Sequence, residues 1–151
     1  GVRSRNPRDP FAPRNLASLD RIHARTADEA SRIRLLATAD EMYMRAVALA
    51  PGLPALWSEW ANVKLERGLF NEAAETLQQA LALDDTRFEP WLLLGHARFL
   101  QQRTTEAIAA YNEALEREPE NANAVIARDA AIASVRDSDT PSDDAATLSQ
   151  P

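Results

Sequence analysis

Few side chains in this sequence could do covalent or acid–base chemistry, and their spacing does not gather them. There is no cysteine, which excludes thiol nucleophiles, thiolate metal sites and a disulfide framework. The only histidines are His23 and His96, so a protein-built zinc site would need carboxylates as co-ligands. At the positions three and four residues from His96 stand Leu92, Leu93, Phe99 and Leu100, whereas a catalytic set needs a serine, cysteine or carboxylate within reach. Glu72 with Glu75 and Glu113 with Glu116 are three apart on predicted helices, where like charges normally form solvated surface. Paired-carboxylate catalysis would further need a pocket around them. The sequence therefore predicts no catalytic residue, no cofactor and no metal.

What the residues do offer is surface for binding, and charge narrows the partner. A net charge of -6 argues against nucleic acid, because neutralising phosphates needs a surplus of Lys and Arg. The charge is segregated. Residues 1–35 hold eight Arg against four acids, a net of +4, and the remainder holds nine bases against nineteen acids, a net of -10. One reading is a solvated basic flank; the other is a segment beside a membrane on its cytosolic side. No apolar run reaches the roughly 18 residues that span a bilayer. The expectation is a soluble, cytoplasmic chain, or one tethered at a membrane through an upstream region. The start Gly1-Val2-Arg3 suggests a domain cut from a longer protein or a processed product.

The elements that position these side chains are helices. Hydrophobic residues make up 45% of the chain, Ala and Leu supply much of that, and β-branched runs are missing, which favours an all-α fold. Residues 1–13 read as an extended basic lead-in and 14–50 as an atypical helical hairpin. In that hairpin Leu16, Leu19 and Ile22 line one face, Thr26-Ala27-Asp28-Glu29 forms a capping box, and Ile33, Leu36, Ala39, Tyr43, Ala46, Val47 and Ala50 form the apolar stripe of a long second helix. Pro51-Gly52-Leu53-Pro54 is a turn that ends one helix and starts the next. From Trp57 onward the chain repeats at 34 residues: Trp57 and Trp91, Ala73 and Ala107, Leu77 and Tyr111, Ala80 and Ala114. Ala39, Tyr43 and Ala46 supply an earlier half copy. A fixed period of this kind marks a solenoid in which each unit buries its apolar face against its neighbours. The expected units are hairpins at 54–87 and 88–121, a capping helix at 122–136 and a disordered acidic tail at 137–151. Gly68 suits the positive φ needed at the inner turn of the first unit, and Gln102 stands in its place in the second.

The pattern Trp57, Ala61, Gly68, Ala73, Ala80, then Trp91, Gly95, Ala107, Ala114 and Pro119 resembles the tetratricopeptide repeat, with departures at Trp60, Lys64, Asp85, Arg98 and Gln102. The resemblance covers about residues 36–136 and implies an all-α solenoid of about seven helices, non-catalytic, that binds a protein or peptide segment. The resemblance also implies that the first helix of each hairpin lines a concave groove. That groove would comprise Ser58, Asn62, Leu65 and Glu66, then Leu92, His96, Phe99 and Leu100, then Asn123, Ile126 and Ala130. In it an amide such as Asn62 could hold a peptide backbone by donating and accepting at once. Chaperone-binding members grip a carboxylate with Lys, Asn and Arg; Ser58 and Leu93 stand at two of those places, so such a clamp is not expected. More distantly, Asn6-Pro7, Asn15-Leu16-Ala17 and Leu56-Trp57-Ser58-Glu59-Trp60-Ala61 are similar to the helical tails of bacterial O-antigen ligase and polymerase-type membrane proteins. That similarity implies the soluble tail of a glycan-transferring parent. Self-association through an end face is a further expectation.

Overall fold

A computed structural model describes residues 6–140, which form seven α-helices and, among the described residues, no strand. They are α1 (Phe11–Ala24), α2 (Glu29–Leu49), α3 (Pro54–Glu66), α4 (Phe70–Leu83), α5 (Phe88–Leu100), α6 (Thr104–Arg117) and α7 (Ala122–Asp139). Three antiparallel hairpins, α1–α2, α3–α4 and α5–α6, stack in order, and α7 packs on α6. Contacts between α3 and α5 and between α5 and α7 make the odd-numbered helices an inner row. The all-α solenoid read from the 34-residue period is the observed fold.

Each hairpin closes on a small residue facing a large one. Ala17 shares a buried cluster with Tyr43, and Ala61 with Leu77. At Gly95 an added Cβ would lie 2.3 Å from the Tyr111 ring, so the bare backbone is what admits the ring there. The tryptophans tie the hairpins together. Trp57 Nε1 donates to the Pro51 carbonyl and Trp91 Nε1 to the Asp85 carbonyl, both at 2.8 Å and one repeat apart. Two of the residues that depart from the repeat pattern, Trp60 and Lys64, belong to one network. Trp60 Nε1 donates to Asp40 at 2.6 Å, and Arg67 pairs with the same carboxylate. Lys64 lies 3.8 Å over the Trp60 ring and donates to Thr76 Oγ1 at 2.8 Å. Burial holds the Lys64 ammonium below its usual range.

The N-terminal boundaries differ from expectation for local reasons. α1 begins at Phe11 instead of 14, because Asp9 accepts from the Phe11 N–H and Pro10 already carries a helical φ of -70°. Pro13 then falls in the first turn, where its missing N–H costs nothing. The cap of α2 is Asp28, accepting from Ser31 N at 2.9 Å, and not Thr26, whose hydroxyl donates to the His23 carbonyl. Leu16, Leu19 and Ile22 share a side of α1, but it is the exposed one; Ala17 and Ala24 are buried instead. Ile33 is likewise exposed. α7 continues to Asp139 and so takes in the start of the expected tail; 1–5 and 141–151 lie outside the described residues.

Gly68 has φ 77°, and Gln102 adopts 62° in the equivalent turn. The same bonds close both: Leu69 N to the Lys64 carbonyl and Arg103 N to the Arg98 carbonyl, each at 2.9 Å. The left-handed region costs a residue with a Cβ roughly 1–2 kcal/mol, while glycine gives back about 0.5–1 kcal/mol in unfolded-state entropy. Urea denaturation should therefore find Gln102→Gly more stable by about 0.5 kcal/mol or somewhat more. Gly95→Ala should be less stable by roughly 1–3 kcal/mol through overpacking against Tyr111.

Candidate functional site

The inner row presents a repeating polar position. The residues that follow the small crossing residues Ala17, Ala61 and Gly95 are Ser18, Asn62 and His96, and each is half-buried. Ser18 Oγ lies 3.1 Å from the Tyr43 hydroxyl. His96 Nδ1 lies 3.0 Å from the Tyr111 hydroxyl, with the rings edge-on and their centroids 5.5 Å apart. Between them Leu77 has no hydroxyl to offer, and among the described residues the Asn62 amide makes no side-chain hydrogen bond. Asn62 is thus the member of the row with donor and acceptor both open.

Burial sets the protonation of the His96 pair. It lowers the His96 pKa and pushes the Tyr111 phenol up to about 12. Tyr111 is therefore protonated. The bond to the phenol uses Nδ1 and leaves Nε2 as the ring nitrogen outside it.

Around these groups the inner row is apolar. Phe99, Leu100 and Ile126 are exposed, the last by 67%, while Leu65 and Leu92 are half-buried edges of core clusters. Asn123 and Ala130 are exposed on α7. Two of the expected groove residues are placed differently. Ser58 is 3% exposed, and its hydroxyl bonds back to the Pro54 carbonyl at 3.3 Å, so it faces the core. Glu66 is engaged by Arg21 of α1 at 2.5 Å, and Glu59, one turn-pair earlier on the same helix, by the fork of Arg14. Both pairs span 45 residues and run in the same direction, so α1 lies parallel to α3 and extends the inner row. Sequence reading missed this extension, because α1 stands outside the 34-residue phase.

Among the described residues His96 has Tyr111 as its side-chain partner, Glu72 and Glu75 are exposed on α4, and Glu113 is paired with Arg117 at 2.8 Å. No group of three His, Asp or Glu among them is set to hold a metal. No described helix is long and apolar enough to cross a membrane.

A stack of antiparallel helical hairpins with an open inner row defines a helical-repeat solenoid. Residues 58–122 of it match the family model described as the tetratricopeptide repeat, which is less than half of the chain. Among known proteins, the chain is 32% identical over 81 residues to the small glutamine-rich tetratricopeptide repeat-containing protein 2 of Mycosarcoma maydis. The match covers 54% of this chain and 23% of that relative, so the chain spans about a quarter of the relative's length. A thermophilic tetratricopeptide protein of Thermus thermophilus superposes with a TM-score of 0.75 at 26% identity, over 86% of this chain and 67% of the other. The first tetratricopeptide domain of RPAP3, bound to a peptide of HSP90, superposes with a TM-score of 0.66 at 21% identity, over 81% and 94%.

The His96 pair gives a pH dependence with a defined sign. The folded protein disfavours the charged ring, so the unfolded chain takes up the proton first as pH falls through the ordinary value of 6.5. Stability present above that value is lost below it. Urea titrations at about pH 8 and about pH 5 should show a smaller loss for His96→Gln than for the unmodified chain.

Proposed function

We propose that the chain is a non-catalytic binding module that holds an extended, largely apolar segment of a partner protein along α3, α5 and α7. The observation that carries this is the exposure of Phe99 and Leu100 on α5 and of Ile126 on α7, in the same row of touching helices that holds the half-buried Asn62 and His96. Apolar side chains exposed along a shared row supply affinity, and polar groups at regular spacing fix register. An acidic segment fits poorly. Arg14 and Arg21, the cations beside α3, are committed to Glu59 and Glu66. Binding of a chaperone peptide is a property of the RPAP3 domain, and it supports peptide capture on this fold in general. The alternative, that the chain is the soluble tail of a glycan-transferring membrane protein, rests on the resemblance of residues 6–7, 15–17 and 56–61 alone. Membrane spans encoded upstream of Gly1 would favour it.

The test is selection of peptides from a random phage-displayed library on the immobilised chain, followed by calorimetry with the selected peptides. Phe99→Ala should weaken binding roughly tenfold or more. Asn62→Ala should weaken it about fivefold, as for one lost hydrogen bond. Glu75→Ala on the outer row should leave it unchanged. Selected peptides that are indifferent to Phe99 and Asn62, or no selection at all, would remove the proposal.

A further inference from the structure

The half-buried amide of Asn62 stands between two carboxylates. Glu59 lies three residues before it and Glu66 four after, and at 100° per residue the three share an arc of roughly 60° on α3. Side chains three and four apart on a helix are neighbours. A segment bonded to Asn62 therefore lies within a helical turn of both carboxylates, and their charge decides what that segment can carry. α1 answers this stripe with one of its own. Arg14, Ser18 and Arg21 also fall within an arc of roughly 60°. Each arginine precedes its carboxylate by 45 residues and Ser18 precedes Asn62 by 44, so the two stripes run side by side. Arg14 Nε donates to Glu59 Oε2 at 2.9 Å, and Arg21 Nε to Glu66 Oε1 at 2.5 Å.

We propose that Arg14 and Arg21 determine the specificity of the inner row. By neutralising Glu59 and Glu66 they close it to lysine- and arginine-rich segments and leave it to apolar segments without net charge. This rests on the reading of α3, α5 and α7 as the row that holds a partner segment. Freed of their partners, the two carboxylates would stand about 10 Å apart along α3, on a chain of net charge -6. Two basic side chains about three residues apart in an extended segment span that distance. The arginines occupy the places those side chains would take. Their second effect, holding α1 beside α3, is separable, because α1 is also fixed on α2 by the Ala17–Tyr43 crossing and the bond from Ser18 to the Tyr43 hydroxyl.

The experiment repeats the phage selection on the unmodified chain, on Arg14→Gln with Arg21→Gln, and on Glu59→Gln with Glu66→Gln, with circular dichroism on each. The unmodified chain should select apolar peptides without net charge. The arginine variant should select peptides with Lys or Arg about three residues apart, and the glutamate variant peptides bearing Asp or Glu. A basic peptide so selected should bind the arginine variant roughly tenfold tighter than the unmodified chain at low salt, a difference that shrinks as salt rises. Pairs that only hold α1 in place would shift both variants alike, whereas a charge gate shifts them in opposite directions. Where the double substitution loosens α1, Arg21→Gln alone keeps the Arg14 pair and should still select peptides with one basic residue. The same uncharged peptides on all folded chains would overturn the inference and leave the binding module standing. Basic peptides selected by the unmodified chain would also overturn it, and no selection on any chain would remove both.

Discussion

The architecture depends on one steric arrangement made three times, a small residue on the first helix of a hairpin lying against a large one on the second. Ala17 meets Tyr43, Ala61 meets Leu77, and Gly95 meets Tyr111 so closely that a methyl group would overlap the ring. Close-packed interiors leave little slack, so this crossing fixes which residues of the first helix are buried and which look into the inner row. Ser18, Asn62 and His96 hold equivalent places because each is the next residue along. The groove chemistry is therefore a by-product of the core. Where the core residue is tyrosine, its hydroxyl claims the neighbouring polar group; where it is leucine, that group is left for a ligand.

Electrostatics divides the molecule in the same way. Glu59 and Glu66 would have made the inner row acidic, but α1 brings Arg14 and Arg21 over them at matching intervals. Partly buried pairs of this kind also keep α1 in register with α3, which its two buried alanines alone could do only loosely. On the other side of α3, Lys64 gives up solvent for Trp60 and Thr76, with Asp40 held between Trp60 and Arg67. Trp60 and Lys64, both departures from the repeat pattern, thus compensate one another.

The 34-residue period made most of the fold legible, because every unit from α2 onward repeats the same buried positions. α1 escaped it. Its crossing residue Ala17 precedes Ala61 by 44 residues, not 34, and a helix that buries alanine while exposing leucine defeats a reading based on apolar periodicity. Within the candidate site, phase alone suggested that Ser58 faces the groove. Its short side chain instead bonds to its own helix and is covered by its neighbours. Glu66 was legible as a groove position but not as half of an ion pair, since nothing in the local sequence links it to Arg21. The cap of α2 shows a similar competition: Thr26 and Asp28 both precede the helix, and the carboxylate, which accepts more strongly, takes the role.

The three indoles have a consequence for how the chain comes apart. Each N–H bonds to an acceptor that precedes its own hairpin: Trp57 to the carbonyl of Pro51, Trp60 to Asp40, and Trp91 to the carbonyl of Asp85. One hairpin cannot melt without withdrawing a bond from the connector or helix before it, so the nearest-neighbour coupling that governs linear repeat arrays is strengthened at both inner boundaries. The same three rings are the chain's dominant fluorophores. Their emission therefore reports the joints between units and not the units themselves, giving the molecule intrinsic probes of cooperativity at two successive boundaries.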